Sequence, residues 1–222
     1  MLFTPGKKTL HLMHKFQMMC QDEIVNNFGI VLLAAGSSSR LGRPKQLLKY
    51  NNYTLLQHSL QIASVSNARK HVVVLGAHAE SIKEEIDHQN IHIAVNLNWQ
   101  EGMASSIRCG IKVMAEIDPS VEGIIIMVCD QPHTSAILLN KLIATYQQTK
   151  KDIVASGYEN IIGTPVFFHR NLFPELLQLT GEKGARNLIR QYAHKVEVVP
   201  FPEGKIDIDT EQDYRKLSTG SV

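Results

Sequence analysis

The chain has 222 residues, 44% of them hydrophobic and 20% charged, with a formal net charge of +2. That is enough apolar material for one domain with a buried core, and the charge fraction argues against wholesale disorder. So mild a positive balance gives no footprint for nucleic acid or a membrane surface, and no apolar run approaches the roughly 18 residues of a spanning helix.

The three cysteines, Cys20, Cys109 and Cys129, form no C-x-x-C pair and leave an odd count. A disulfide framework or a cysteine zinc site is disfavoured, and a reducing, cytoplasmic setting is the expectation. Residues 1–28 carry Lys7, Lys8, His11, His14 and Lys15 without a continuous apolar stretch. They read as a flexible extension, not a signal peptide, and residues 29–222 read as a single domain.

Along the chain, residues 30–34 form a continuous apolar run that predicts a first buried strand, followed by a Gly/Ser loop. Thr54 is placed to cap a helix with Leu56, Leu60 and Ala63 on one face. Residues 71–75 predict a second strand, Ile82 and Ile86 the next helix, and residues 91–95 a third strand. Ile107, Ile111 and Met114 make a helical stripe. Residues 124–128 are apolar without alternation, as in a strand covered on both faces. Leu138 and Leu142 mark a helix after it. Residues 153–156, 166–168 and 196–199 predict further strands. This alternation predicts an α/β fold, a Rossmann-like, doubly wound, mostly parallel sheet. Ligands in such sheets sit beyond the carboxyl ends of the strands, near the switch in strand order.

The loop after the first strand runs Leu33-Ala34-Ala35-Gly36-Ser37-Ser38-Ser39-Arg40-Leu41-Gly42-Arg43-Pro44-Lys45. Small residues there let backbone N–H groups approach a polyanion, and Arg40 and Lys45 add positive charge. The spacing is neither G-x-G-x-x-G nor G-x-x-x-x-G-K-[ST], so the dinucleotide and P-loop fingerprints fail. The segment resembles the L-A-A-G-x-S-x-R-x-G-x-P-K signature of the MobA-like NTP transferase family. The resemblance implies that Ala34, Ala35, Gly36, Ser37 and Ser38 hold a nucleoside triphosphate, with Arg40 and Lys45 on its phosphate oxygens. The guanylyl members usually carry A-G-G, whereas Ala34-Ala35-Gly36 is similar to the cytidylyl members.

Asp130 follows the run 124–128 in Cys129-Asp130-Gln131-Pro132. A carboxylate at the end of a central strand suits a hard cation such as Mg²⁺, which takes one or two carboxylates and completes its shell with phosphate and water. A turn or cap role is the plain alternative. Downstream, Asp207 and Asp209 alternate with isoleucines in Ile206-Asp207-Ile208-Asp209-Thr210-Glu211, so both face one side of a predicted extended strand. Asp209 or Thr210 suits the cap of a last helix. Asp207 is therefore the expected second metal ligand, with Asp209 the alternate. The string is similar to the family's D-I-D-T-P-E-D motif, with Glu211 in place of the proline.

Three further segments resemble the molybdenum cofactor cytidylyltransferase branch. Trp99-Gln100-Glu101-Gly102-Met103-Ala104-Ser105-Ser106 is similar to its W-x-x-G-(L/M)-x-S-S element and implies nucleotide contacts from Gly102, Ser105 and Ser106. Gly163-Thr164-Pro165-Val166 and Gly181-Glu182-Lys183-Gly184-Ala185-Arg186 resemble its acceptor elements, which implies acceptor contacts from Gly163, Pro165 and Arg186. Glu182 stands where an aspartate is more usual. The expected reaction is Mg²⁺-dependent transfer of CMP from CTP to the phosphate of molybdopterin, with pyrophosphate released and a client molybdoenzyme or its chaperone downstream. The rivals are a guanylyltransferase, another sugar- or alcohol-phosphate cytidylyltransferase, or a non-catalytic cofactor carrier.

Overall fold

The computed structural model describes residues 27–86 and 90–219. Apart from residues 27 and 28, the expected extension lies outside them. Phe28 already belongs to the fold, as the first residue of a fully buried strand, β1 (Phe28–Ala34). Asn27 is tied to Asp118 and Ser120 by its side-chain amide.

A strand buried along its whole length must be covered on both faces. Even-numbered residues of β1 (Ile30, Leu32, Ala34) pack with Leu56, Leu60, Ile82, Leu139 and Leu142, while Val31 and Leu33 pack with Ile107, Ile111 and Met114. The helices behind these residues are α1 (Leu55–Ser64), α2 (Ala79–Lys83), α3 (Met103–Ile117) and α4 (Ala136–Thr149). Thr54 caps α1 as expected, in a reciprocal box with Gln57. The helix predicted through Ile86 is shorter, because α2 stops at Lys83. Before α1 lies a hairpin that the apolar pattern does not reveal, β2 (Lys49–Tyr50) and β3 (Tyr53–Thr54), turning on Asn51 and Asn52 with φ of 47° and 70°. Consecutive asparagines tolerate such left-handed turns.

The remaining strands are β4 (Lys70–Leu75), β5 (Ile91–Val95), β6 (Gly123–Val128), β7 (Ile153–Tyr158), β8 (Ile161–His169) and β9 (Val196–Pro200). Seven strands form one sheet in the order β5-β4-β1-β6-β8-β7-β9. All neighbours are parallel except β8, which runs antiparallel to both β6 and β7. The chain proceeds from β1 outward to β4 and β5, then returns to place β6 on the other side of β1. The order therefore reverses between β1 and β6, and a crevice opens at their carboxyl ends. Short helices α5 (Phe173–Leu176) and α6 (Arg186–Gln191) cover the β8 side, and α7 (Glu211–Thr219) closes the chain. No helix among the described residues is long and apolar enough to cross a membrane.

Candidate active site

The loop leaving β1 is held open by a side chain from within it. Gln46 is only 1% exposed, and its amide nitrogen donates to the carbonyls of Ala34 at 2.8 Å and Gly36 at 3.0 Å. Those two carbonyls are drawn inward. Among the described residues no acceptor takes the N–H of Gly36 or Ser37. A Cβ on Gly36 would meet nothing within 4 Å, so it would project into free space that the cradle leaves open. Ser38, at φ 55°, turns the loop, and its hydroxyl accepts the backbone N–H of Lys45 at 3.0 Å. Ser38 thus shapes the loop from behind and is not among the residues lining the cleft.

Lys45 faces the end of β6. Its ammonium donates to Asp130 at 2.5 Å and to Asp209 at 2.9 Å, and Arg40 donates to the other oxygen of Asp209 at 2.7 Å. Burial by itself lowers the Lys45 ammonium, but the charge and hydrogen bond of Asp130, with the bond to Asp209, outweigh it and hold the group well above its ordinary value. Burial likewise raises Asp209, and the Lys45 and Arg40 contacts reverse this, leaving its carboxyl below the usual range. Asp207 goes the other way. Burial and the neighbouring carboxylates of Asp209 and Asp130 push it up, and it makes no ion pair among the described residues.

The tail that delivers these aspartates is not a strand, contrary to the alternating pattern. It is pinned by one backbone bond, from Ile208 N–H to the Asp130 carbonyl at 2.9 Å, and by the Ile208 side chain buried against Leu48, Leu55 and Leu217. One ladder bond suffices to aim Asp209 at Lys45 but registers too few residues for a sheet. The helix cap is Thr210, whose hydroxyl accepts from Asp213 N–H while Asp213 accepts from Thr210 N–H. Asp209 is thereby released from capping and joins Lys45 and Arg40, whereas the expected ligand Asp207 stands beside them unpaired.

Two cations therefore face three carboxylates. Among the described residues no three His, Cys, Asp or Glu side chains form a metal cage. Mg²⁺ bound with a polyphosphate needs only one or two carboxylates. The negative excess and the destabilised charge on Asp207 suit a divalent cation.

The cleft above this cluster measures about 290 Å³ and is lined by Ala34, Ala35, Gly36, Ser37, Lys45, Gly102, Ser106 and Asp130, with Trp99 and Met103 as apolar walls. Ser105 is buried behind it, its single hydroxyl proton shared between the carbonyls of Asn98 and Gly102. It holds the turn together and does not line the cleft. Gly102 sits at φ 97°, and a side chain there would come within 2.8 Å of the Gly181 carbonyl and the Glu182 carboxyl carbon. This close approach lays the loop 181–185 across the start of α3.

A family model described as the MobA-like NTP transferase domain matches residues 30–196. The chain belongs to that family. Its relatives show how far chemistry spreads on this fold. A "Nicotine blue oxidoreductase" of Paenarthrobacter nicotinovorans is 30% identical, over 84% of this chain and 95% of that protein. A "Probable molybdenum cofactor guanylyltransferase" of Bacillus cytotoxicus is 24% identical over 85% and 95%. The crystal structure of Rv0371c from Mycobacterium tuberculosis H37Rv superposes with a TM-score of 0.75 at 30% identity, over 87% of this chain and 98% of that one. A manganese complex of the same mycobacterial protein superposes with a TM-score of 0.71.

On this MobA-like frame, a second cavity of about 190 Å³ adjoins the first across Met103 and Glu182. Gly163 and Arg186 line it together with Tyr158, Thr164 and Lys183. Pro165 does not line it. It is buried in β8 after a cis bond from Thr164, and its carbonyl accepts the Ser156 hydroxyl at 2.7 Å. Arg186 and Ile189 continue into an open groove of about 440 Å³ walled by Ile161, Ile162 and Val198. The sequence reading passed over Gln46, Gln131 and Tyr158. A polar residue that ends up buried carries no periodic signal, although Lys45-Gln46 and Asp130-Gln131 adjoin the recognised charges. Cys129 is buried and its thiol is pushed up to about 12 by burial and the Asp130 charge, so it is an inert packing residue and not a nucleophile.

Proposed function

We propose that this nucleotidyltransferase-family chain moves CMP from Mg²⁺-bound CTP to the phosphate of molybdopterin, releasing pyrophosphate. The observation that carries the reading is the meeting, in one cleft, of the Gln46-braced backbone cradle with Lys45, Asp130 and Asp209. A cradle of N–H groups beside fixed cations suits a triphosphate. Lys45 has three N–H donors and spends two on carboxylates, which leaves one for a phosphate oxygen. Arg40, 70% exposed at its side chain, is free to swing from Asp209 onto the departing pyrophosphate.

Asp130 and Asp207 would hold the metal, which would neutralise charge on the phosphate oxygens as they transfer. The mycobacterial relative's manganese complex supports divalent-metal use, and Mg²⁺ is the hard cation that pairs with a polyphosphate on one or two carboxylates. The acceptor phosphate is already ionised near neutral pH, so the protein's task is to align two polyanions and balance their charge. Arg186, which lines the second cavity, would meet the acceptor. The base preference follows the Ala34-Ala35-Gly36 form of the loop, and the acceptor follows the Gly163 and Arg186 elements and the guanylyltransferase relative.

A second reading comes from the oxidoreductase relative, in which the same cleft would hold a nucleotide without cleaving it. Pyrophosphate separates the two. The protein is incubated with Mg²⁺, molybdopterin and each of the four nucleoside triphosphates, and product mass and pyrophosphate are measured. Cytidylylated product with CTP supports the proposal. Guanylylated product moves it to a sibling activity, and absence of pyrophosphate with all four ends it.

A further inference from the structure

One side chain joins the acidic cluster to the acceptor cavity and has no role so far. Tyr158 ends β7, is 8% exposed and lines the cavity shared by Gly163 and Arg186. Two stretches of bare backbone fix its ring. A Cβ on Gly163 would lie 2.9 Å from the phenol oxygen, and one on Gly204 would lie 2.5 Å from Cδ1. Phe201 meets the ring edge-on at 6.4 Å.

The phenol oxygen is engaged from behind. Gln131, next to Asp130 in the chain, is buried, and its Nε2 donates to the Gly204 carbonyl at 2.9 Å while its Oε1 accepts from the Thr164 hydroxyl at 3.0 Å. The same side chain lies beside the phenol and interacts with it. As a hydroxyl, the phenol can give its proton to a ligand in the cavity that it lines. Burial holds the phenol above its ordinary value, so it stays protonated. It feels the charge of Arg186 and those of Asp207 and Asp130. The reacting phosphate of an acceptor has to sit within reach of both sets.

We propose that Tyr158 and Arg186 form the seat of the acceptor's phosphate monoester, the phenol giving one hydrogen bond and the guanidinium a charge-assisted pair. The seat takes its role as an acceptor site from the transferase reading above. Its affinity for phosphate does not depend on turnover. Gln131 is a positioning residue: pinned by Gly204 and Thr164, it backs the phenol and ties that side of the cavity to the strand end carrying Asp130.

The test uses protein labelled with ¹³C at tyrosine Cζ and titrated with inorganic phosphate, with acetate as the control anion. The resonance missing from Tyr158→Phe reports the phenol. It is expected to move saturably with phosphate and not with acetate. Arg186→Gln, at an exposed position outside the core, is expected to weaken the midpoint at least about tenfold, the typical cost of losing a charged hydrogen-bond partner. Arg40→Gln is expected to leave the midpoint within about twofold, because Arg40 pairs with Asp209 and does not line this cavity. A Tyr158 resonance that ignores phosphate, follows acetate equally, or keeps its midpoint in Arg186→Gln overturns the proposal. A parent enzyme that makes no nucleotidylated product while this resonance still responds ends the transferase reading and leaves the phosphate seat standing.

Discussion

The two halves of the cleft are built on opposite principles. The nucleotide half, at the ends of β1 and β6, is a closed network in which Lys45, Asp130, Asp209 and Arg40 already satisfy one another. The acceptor half, beside β7 and β8, leaves Arg186 and Arg190 with no ion pair among the described residues and opens into a groove of exposed isoleucines. The first half is thus preorganised by its own ion pairs, and the second presents guanidinium groups with no ion pair among the described residues.

The largest effect is expected on the nucleotide side. Asp130→Asn is expected to slow product formation by about a hundred- to thousandfold, the scale seen when one transition-state charge contact is lost. Single-turnover assays check this, and a near-parental rate with Mg²⁺ would remove Asp130 from the chemistry. Gln46→Leu attacks the cradle itself. It leaves the Ala34 and Gly36 carbonyls unpaired, at roughly 1–3 kcal/mol, and is expected to lower the urea midpoint and weaken nucleotide binding together. Stability lost without any change in binding would mean that the brace serves the fold alone.

Arg186→Ala sharpens the contrast from the other side. It is expected to raise KM for the acceptor by about tenfold or more, with KM for the nucleotide and the melting temperature nearly unchanged, because the residue is exposed and unpaired. A rise in both KM values would show that the halves are not separable. Thr210→Val tests the tail that ties Asp209 into place. Loss of the cap is expected to cost about 1 kcal/mol. Any rate loss beyond that measures how far α7 steers Asp209.

The smallest effect is a pH dependence remote from the cleft. Burial lowers His71 from its ordinary 6.5, and burial also lowers His169 despite Asp152 nearby. The unfolded chain therefore binds protons that the fold refuses. Stability is full above about pH 6.5 and declines as pH falls through the window down to the lowered folded values. His71→Asn is expected to flatten part of that decline in melting curves between pH 6.5 and 5. An unchanged slope would place the acid sensitivity elsewhere.

Where the sequence was legible, the reason is periodicity. Buried strands and amphipathic helices impose a repeat on apolar residues, so β1, β4, β5 and β6 and the stripe Ile107, Ile111, Met114 were readable before any coordinates. The hairpin at Asn51 and Asn52 was not, since strands that short carry no repeat. The loop signature and Asp130 were legible because chemistry constrains residue type and spacing at a strand end. Asp207 and Asp209 are recognisable as a pair, and the sequence ranks Asp207 first because Asp209 is a competent helix cap. The ranking depends on which residue caps α7, and Thr210 and Asp209 are both competent caps.

By itself the sequence determined the α/β alternation, the phosphate-loop composition and the acidic strand end, because each is written in contiguous residues. Only the tertiary structure decided that Asp209 joins Lys45 and Arg40, that Gln46 braces the loop after β1, and that Tyr158 and Arg186 line one cavity. These contacts link residues far apart in the chain, such as Arg40 and Asp209. They follow from the return of the chain from β5 to β6 and from the single backbone bond between Ile208 and Asp130. Local composition encodes which groups are available, whereas strand order and packing determine which of them meet.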